Sequence, residues 1–164
     1  MKVKILKQNG YNFLWIGKYL WMWDVPIERR EQKRIADQAF GDVLVAGYGL
    51  GLVQYYLTKN SKVRSITTVE KLPEIIKEVH RVYKKVYGEV VTGNFYHFKT
   101  SQRYDCVVGD IWEDIVEDSL RDYNKFVKKA GSFLKVGGRI LAWGQGFFDY
   151  LNIVKNPKGV ENKF

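Results

Sequence analysis

The sequence predicts an α/β chain: a doubly wound parallel sheet preceded by a small antiparallel one. Three observations predict it. The apolar run Val43 to Ala46 ends in glycines at alternate positions, Gly47, Gly49 and Gly51, and an amphipathic segment, Leu52 to Leu57, follows. That order reads as strand, turn and helix. A second strand-like run, Val63 to Val69, ends in Glu70, and Leu-Pro-Glu-Ile-Ile-Lys-Glu-Val follows almost at once. From Asp42 onward strand and helix signals alternate, the pattern of βαβ units with helices on both faces of a parallel sheet.

Taken in order, residues 1–25 form the small sheet. Val3 to Leu6 and Phe13 to Ile16 flank Asn9-Gly10, the dipeptide favoured in a two-residue hairpin turn. An aromatic run, Lys18 to Trp23, supplies a third strand. Trp15, Trp21 and Trp23 have one parity, so an unbroken register puts them on one face. Packing or a subunit interface is the preferred role for that face, ahead of a wall over a cleft. Residues 26–164 form the main unit, the two together making one structural domain. Pro26 opens a helix reaching Phe40, with Ile27, Ile35 and Ala39 among its apolar positions. Strands are expected at 42–46, 63–69, 89–92, 104–109 and 138–143. Helices are expected at 50–59, 73–87, 114–129 and 146–154. Pro73 suits a first helical turn, and Gly88 a stop.

A chain of 164 residues is large enough for one well-packed core. No apolar run is long enough to span a membrane and no signal-peptide pattern opens the chain, so a cytoplasmic location is expected. The single cysteine, Cys106, excludes an intrachain disulfide. His80 and His97 lack metal-ligand spacing with Cys106 or each other, and no metal site is expected. The net charge of +9 allows nucleic acid as a partner. It is spread over residues 2–34, 71–103 and the last forty, however, while 110–122 is acidic. No basic helix interleaved with aromatics is visible, and nucleic acid is not favoured.

Glycines after a buried strand let the backbone take positive φ and approach a ligand, and the following helix start offers free N–H groups. A tight turn alone would explain Gly47–Gly51 equally well. Glu70 adds weight, because an acid at the tip of the second strand can accept hydrogen bonds from both ribose hydroxyls. Together the two features point to a nucleoside-containing cofactor. Gly93–Asn94 and Asp110 also fall at strand carboxyl ends, where the crevice of such a sheet opens.

These motifs resemble class I S-adenosylmethionine-dependent methyltransferases, which have a Rossmann-like sheet, and among them most closely the spermidine synthase (aminopropyltransferase) branch. That branch's first motif reads roughly Val-Leu-Val-Ile-Gly-Gly-Gly-Asp-Gly; residues 43–51 read Val-Leu-Val-Ala-Gly-Tyr-Gly-Leu-Gly. Its second strand reads close to Val-Thr-x-Val-Glu-Ile-Asp-Pro-Glu-Val-Ile; Ile66 to Ile76 read Ile-Thr-Thr-Val-Glu-Lys-Leu-Pro-Glu-Ile-Ile. Its Gly-Asp pair near adenine falls on Gly93-Asn94, with Phe95 next. Its Tyr-Asp-Val-Ile-x-x-Asp-Ser-Ser-Asp-Pro falls on Tyr104 to Asp114, and Leu-Lys-x-Gly-Gly recurs from Leu134 to Gly138. The resemblance covers residues 11–145. It implies S-adenosylmethionine or its decarboxylated form as cofactor, held by Gly47, Tyr48, Gly49, Gly51, Glu70, Lys71, Asn94, Phe95 and Asp110. It also implies Asp110 and Glu113 as catalytic acids. Leu50, Asn94, Ile111 and Trp112 depart from the branch. The chain ends soon after the fifth strand, so a minimal version lacking the last two antiparallel strands is expected. Its exposed sheet edge would favour a homodimer or higher oligomer.

Three functions follow. The first is methyl transfer to an unidentified acceptor, small or macromolecular. The second is aminopropyl transfer, with Asp110 as base and Glu113 holding a second ammonium. The third is a non-catalytic role through partner binding. Trp112 is read equally as a substrate-stacking ring or a core cap. Asp114, Glu117 and Asp118 are read as first-turn acids that suit a helix dipole, against Lys125, Lys128 and Lys129 in the last turn. Val116, Leu120, Tyr123 and Val127 are the expected buried stripe of that helix.

Overall fold

A computed structural model describes residues 2–156. The end of the expected main unit, 157–164, lies outside the described residues. Two sheets are present. The small one is antiparallel, with β1 (Val3–Gln8), β2 (Tyr11–Ile16) and β3 (Tyr19–Trp23) in sequential order. Asn9 and Gly10 both have positive φ, 52° and 83°, as the two-residue turn requires. The main sheet contains β4 (Gly41–Ala46), β5 (Val63–Glu70), β6 (Glu89–Thr92), β7 (Tyr104–Gly109) and β8 (Leu134–Ala142). Their order is β6-β5-β4-β7-β8, and every pairing is parallel. Winding reverses between β4 and β7, which opens a crevice at the carboxyl ends of these strands.

Helices cover both faces. On one, α1 (Pro26–Asp37) and α2 (Leu52–Lys59) pack on Val43, Val45, Cys106 and Val108. On the other, α4 (Leu120–Gly131) and α5 (Gln145–Lys155) pack on Leu44, Ala46 and Val107 through Tyr123, Phe126 and Phe148. Alternate residues of β4 thus feed opposite layers, which is why Val43 to Ala46 read as a continuous apolar run. Each fully buried large apolar side chain here contributes roughly 1.5–3 kcal/mol. A side chain at Gly109 would overlap the ring of Phe126, so its absence sets how closely α4 approaches β7.

The small sheet buries Val3, Ile5 and Leu14 against α3 (Pro73–Tyr83) and the segment following β4. Helix α3 also covers the β1 edge. Ile5 N–H donates to Glu78 Oε2 at 2.9 Å, and Arg81 donates to Ile5 O at 2.9 Å. At the far corner the buried Asp24 accepts from Asn12 N–H, Asn12 Nδ2, Arg29 and the Tyr83 hydroxyl, tying β2, α1 and α3 together.

Several expected bounds shift. The helix expected over 73–87 ends at Tyr83, because Lys84 turns left-handed at φ 60°. The helix expected to 40 ends at Asp37, and Ile27 is exposed. The helix expected from 114 starts at Leu120 after a short 3-10 turn, Glu117–Ser119. Asp114, Glu117 and Asp118 therefore all lie outside its first turn, Glu117 and Asp118 within the 3-10 turn. Asp114 accepts the Ile115 N–H, and Glu117 pairs with Lys155. The buried stripe of α4 is Leu120, Tyr123, Phe126 and Ala130, while Val116 is exposed. The tryptophan register is broken too. β2 pairs Leu14 with Met22 and then Trp15 with Leu20, leaving Trp21 as the bulged residue.

Candidate functional site

One large cleft, about 810 Å³, opens at the carboxyl ends of β4, β5 and β7. That is within the range of small-molecule sites. Its floor is the glycine turn after β4. Gly47, Gly49 and Gly51 have φ of 83°, 55° and 73°, a region that side-chain-bearing residues rarely adopt. Gly51 caps α2, whose first turn holds no acid and has no side-chain cap, so its N–H groups remain open to a ligand. The small sheet presses on this turn: Leu50 N–H donates to Met22 Sδ at 3.4 Å, and a Cβ on Gly49 would stand 2.7 Å from that sulfur. From below, the buried Gln54 donates to Gly47 O and Thr68 Oγ1, each at 3.2 Å, while its own Oε1 has no partner.

Glu70, only 5% exposed, ends β5 and faces the cleft. Its Oε2 accepts Tyr48 N–H at 2.7 Å and its Oε1 accepts Leu72 N–H at 2.8 Å. The carboxylate therefore joins the glycine turn to the β5–α3 turn, and each oxygen keeps a second lone pair for a ligand hydroxyl. Lys71 stands exposed beside it.

Asp110 follows β7 directly, and its Oδ2 accepts from Gln32 Nε2 at 2.8 Å. The same Gln32 nitrogen donates to Glu28 Oε1 at 2.9 Å. Gln32 is 1% exposed and sits one turn beyond Glu28 on α1. Both amide protons are thus spent on two carboxylates that face one cleft. Burial pushes the Asp110 carboxyl up to about 7; the negative charge of Glu28 adds to the rise, and the Gln32 hydrogen bond opposes it. Burial also raises Glu28, opposed by the Gln32 bond and reinforced by Glu31. An acid near 7 inside an apolar cleft is suited to take a proton at neutral pH.

Of the residues expected from sequence, Gly47, Gly49, Glu70, Lys71, Asn94 and Asp110 converge on the cleft wall, and Gly51 caps the helix behind it. Others reach it differently. The Tyr48 ring is core: it packs under Gly51, and its hydroxyl accepts Tyr87 N–H at 2.9 Å. Only its backbone serves the turn. Asn94 caps a 3-10 turn by accepting Tyr96 N–H at 2.9 Å. Phe95 packs on Phe126 and Phe133. Trp112 is 3% exposed among Tyr123, Phe126 and Phe148, so the core-cap reading holds for most of its ring. Its Nε1 has no partner. Glu113 is exposed and lines the rim of the same cleft as Asp110. The acid that shares a hydrogen-bond donor with Asp110 is Glu28, which the sequence pattern did not single out. Its only sequence signal is the i, i+4 spacing of Glu28 and Gln32 on a helix. The wall over the cleft comes largely from β3, Tyr19 to Trp23, contrary to the preferred packing role of that aromatic segment.

No protein-family model matches the sequence, and no curated protein matches it. Solved structures match its fold. They include an S-adenosylmethionine-dependent methyltransferase from Clostridium acetobutylicum, 17% identical with a TM-score of 0.53 over 73% of this chain and 50% of that one. The methyltransferase CcbJ from Streptomyces caelestis is 22% identical, with a TM-score of 0.54 over 73% and 52%. The N-methyltransferase NodS from Bradyrhizobium japonicum is 14% identical, with a TM-score of 0.54 over 73% and 68%. The fold is that of the class I methyltransferases. The likeness is one of fold, and the chain spans about half the length of the first two of these proteins. Among the described residues, no helix of this methyltransferase fold is long and apolar enough to cross a membrane, and no cluster of three or more His, Cys, Asp or Glu could hold a metal ion.

Proposed function

We propose that the protein is an S-adenosylmethionine-dependent methyltransferase acting on an amine. The observation that carries this reading is one cleft holding Glu70 beside the glycine turn and Asp110 beside Glu28. The residues fit the cofactor. Glu70 presents acceptors for ribose hydroxyls, and the positive-φ glycines carry the chain sharply from β4 into α2 along the cleft. The open N–H groups of α2 suit the methionine carboxylate.

S-adenosylmethionine, when bound, supplies a methyl group already activated by its sulfonium. The chain must then bind, align and deprotonate the acceptor. Asp110 and Glu28 attract a protonated amine into the cleft. Asp110 takes its proton, which leaves a free lone pair on nitrogen. Gln32 holds both carboxylates in place throughout. The aromatic segment β3 stands over the cleft and narrows the approach of water to the reacting atoms. A positive group beside Asp110 lowers its pKa, which keeps the carboxylate ionised as the amine enters; proton transfer then leaves both partners neutral.

The same acid pair would also serve aminopropyl transfer to a diamine, and the donor separates the two readings. Calorimetry with S-adenosylmethionine, its decarboxylated form and methylthioadenosine is the test. Methyl transfer requires tight binding of the first and labelled methyl appearing on an amine acceptor. Preference for the decarboxylated form would move the assignment to aminopropyl transfer. A folded protein that binds none of the three would overturn both.

A further inference from the structure

We propose that the outer face of the small sheet binds single-stranded nucleic acid. Ladder pairing sets Leu6 against Phe13, Phe13 against Trp23, and Lys4 against Trp15, so these side chains share one face. That face is the reverse of the one buried on α3. Phe13, Trp15 and Trp23 belong to none of the apolar clusters of the core, and Trp23 is 42% exposed. Phe13 and Trp23 meet edge to face, with centroids 6.2 Å apart at 86°, so the rings do not collapse into a stack of their own.

The charge of this region has one sign. Lys2, Lys4 and Lys18 stand before Asp24, with Lys7 on the opposite face of β1, and no Asp or Glu does. Along β2, Tyr11, Phe13 and Trp15 recur at every second residue, about 6.8 Å apart. Rings at that spacing with flanking ammonium groups can stack successive bases and neutralise their phosphates. A second copy fits less well. Protein interfaces are depleted of lysine, whereas Lys4 stands on this face directly opposite Trp15. This proposal goes beyond methyl transfer and does not depend on it.

The test is fluorescence anisotropy with a labelled oligouridine of about twelve nucleotides, a length that covers the face. Phe13→Ala, Trp15→Ala and Lys4→Glu are compared with the parent chain, and circular dichroism confirms that each is folded. None of these residues lines the cleft, so cofactor binding serves as an internal control. Loss of either ring should weaken binding about ten-fold, and Lys4→Glu should both weaken it and flatten its salt dependence. The proposal is overturned if the oligonucleotide does not bind, or binds the variants as tightly as the parent. It is equally overturned if sedimentation shows a dimer that Trp15→Ala dissolves and the oligonucleotide does not. Vesicles of phosphatidylserine that bind this face without competition from oligouridine would also overturn it.

Discussion

The two ends of the main sheet treat their carboxylates in opposite ways. At the amino end, Asp42 accepts two hydrogen bonds from Arg64, at 3.0 and 2.6 Å, and one from Ser65 at 2.7 Å. Lys135 bridges Asp42 and Asp105 at 3.3 and 3.1 Å, and Asp105 accepts Asp42 N–H at 2.8 Å. Both acids are held below their ordinary range, Asp42 chiefly by Arg64 and Asp105 chiefly by the Asp42 N–H. At the carboxyl end, Asp110 and Glu28 share one neutral amide and no cation, and both are raised. Paired acids fasten strands together. Acids left without a cation inside a cleft are costly to fold, and a cationic ligand is what such a pair would attract.

Removing one acid from each end should therefore give opposite results. Asp110→Asn should cut transfer to an amine by about 10²–10⁴-fold, the range for a positioned base. Its melting temperature at pH 8 should hold or rise, because a buried charge has been removed. A fall in stability with unchanged turnover would make Asp110 another structural acid. Glu70→Ala comes next in size. It should weaken binding of an adenosyl ligand in calorimetry by roughly 1.5–3 kcal/mol, the range for hydrogen bonds to a charged group. Glu70→Gln, which keeps one acceptor oxygen, should fall between.

Stability against pH sharpens the contrast. Asp110 titrates near 7 when folded and near ~3.9 when unfolded, so its contribution is fully present below that lower value and is lost as pH rises through about 7. Asp42 and Asp105 are depressed, so theirs is present above the unfolded value and is lost only as pH falls through the folded one. Melting temperature should decline from pH 5 to pH 8 in the parent chain, and the decline should be much shallower in Asp110→Asn. Equal slopes would remove Asp110 as the cause. The smallest effect belongs to Asp42→Ala. Its partner Arg64 is exposed, so the loss should be about 1 kcal/mol in urea unfolding. Affinity for an adenosyl ligand should be unchanged.

The alternation of strands and helices, the Asn9-Gly10 hairpin, the glycine turn and Glu70 were all legible in the residues. Each rests on local rules: apolar periodicity, positive φ at glycine, and the fixed distance from one strand tip to the next. Asp110 was legible for the same reason, since it directly follows a strand. What only the tertiary structure decided is what each of these residues faces. Glu28 and Gln32 precede Asp110 by some eighty residues, and only the packing of α1 beside β7 brings them to it. Glu113, three residues further on, is exposed at the cleft rim, in a segment that reaches Leu120 without forming the α-helix expected from 114. The bulge at Trp21 split an aromatic set that parity had put together, and ladder pairing assembled a different one from Phe13, Trp15 and Trp23. Local propensity specifies the elements, but the side of an element that meets a neighbour depends on register and packing between segments distant in the chain. That is where the acid pair and the aromatic face were made.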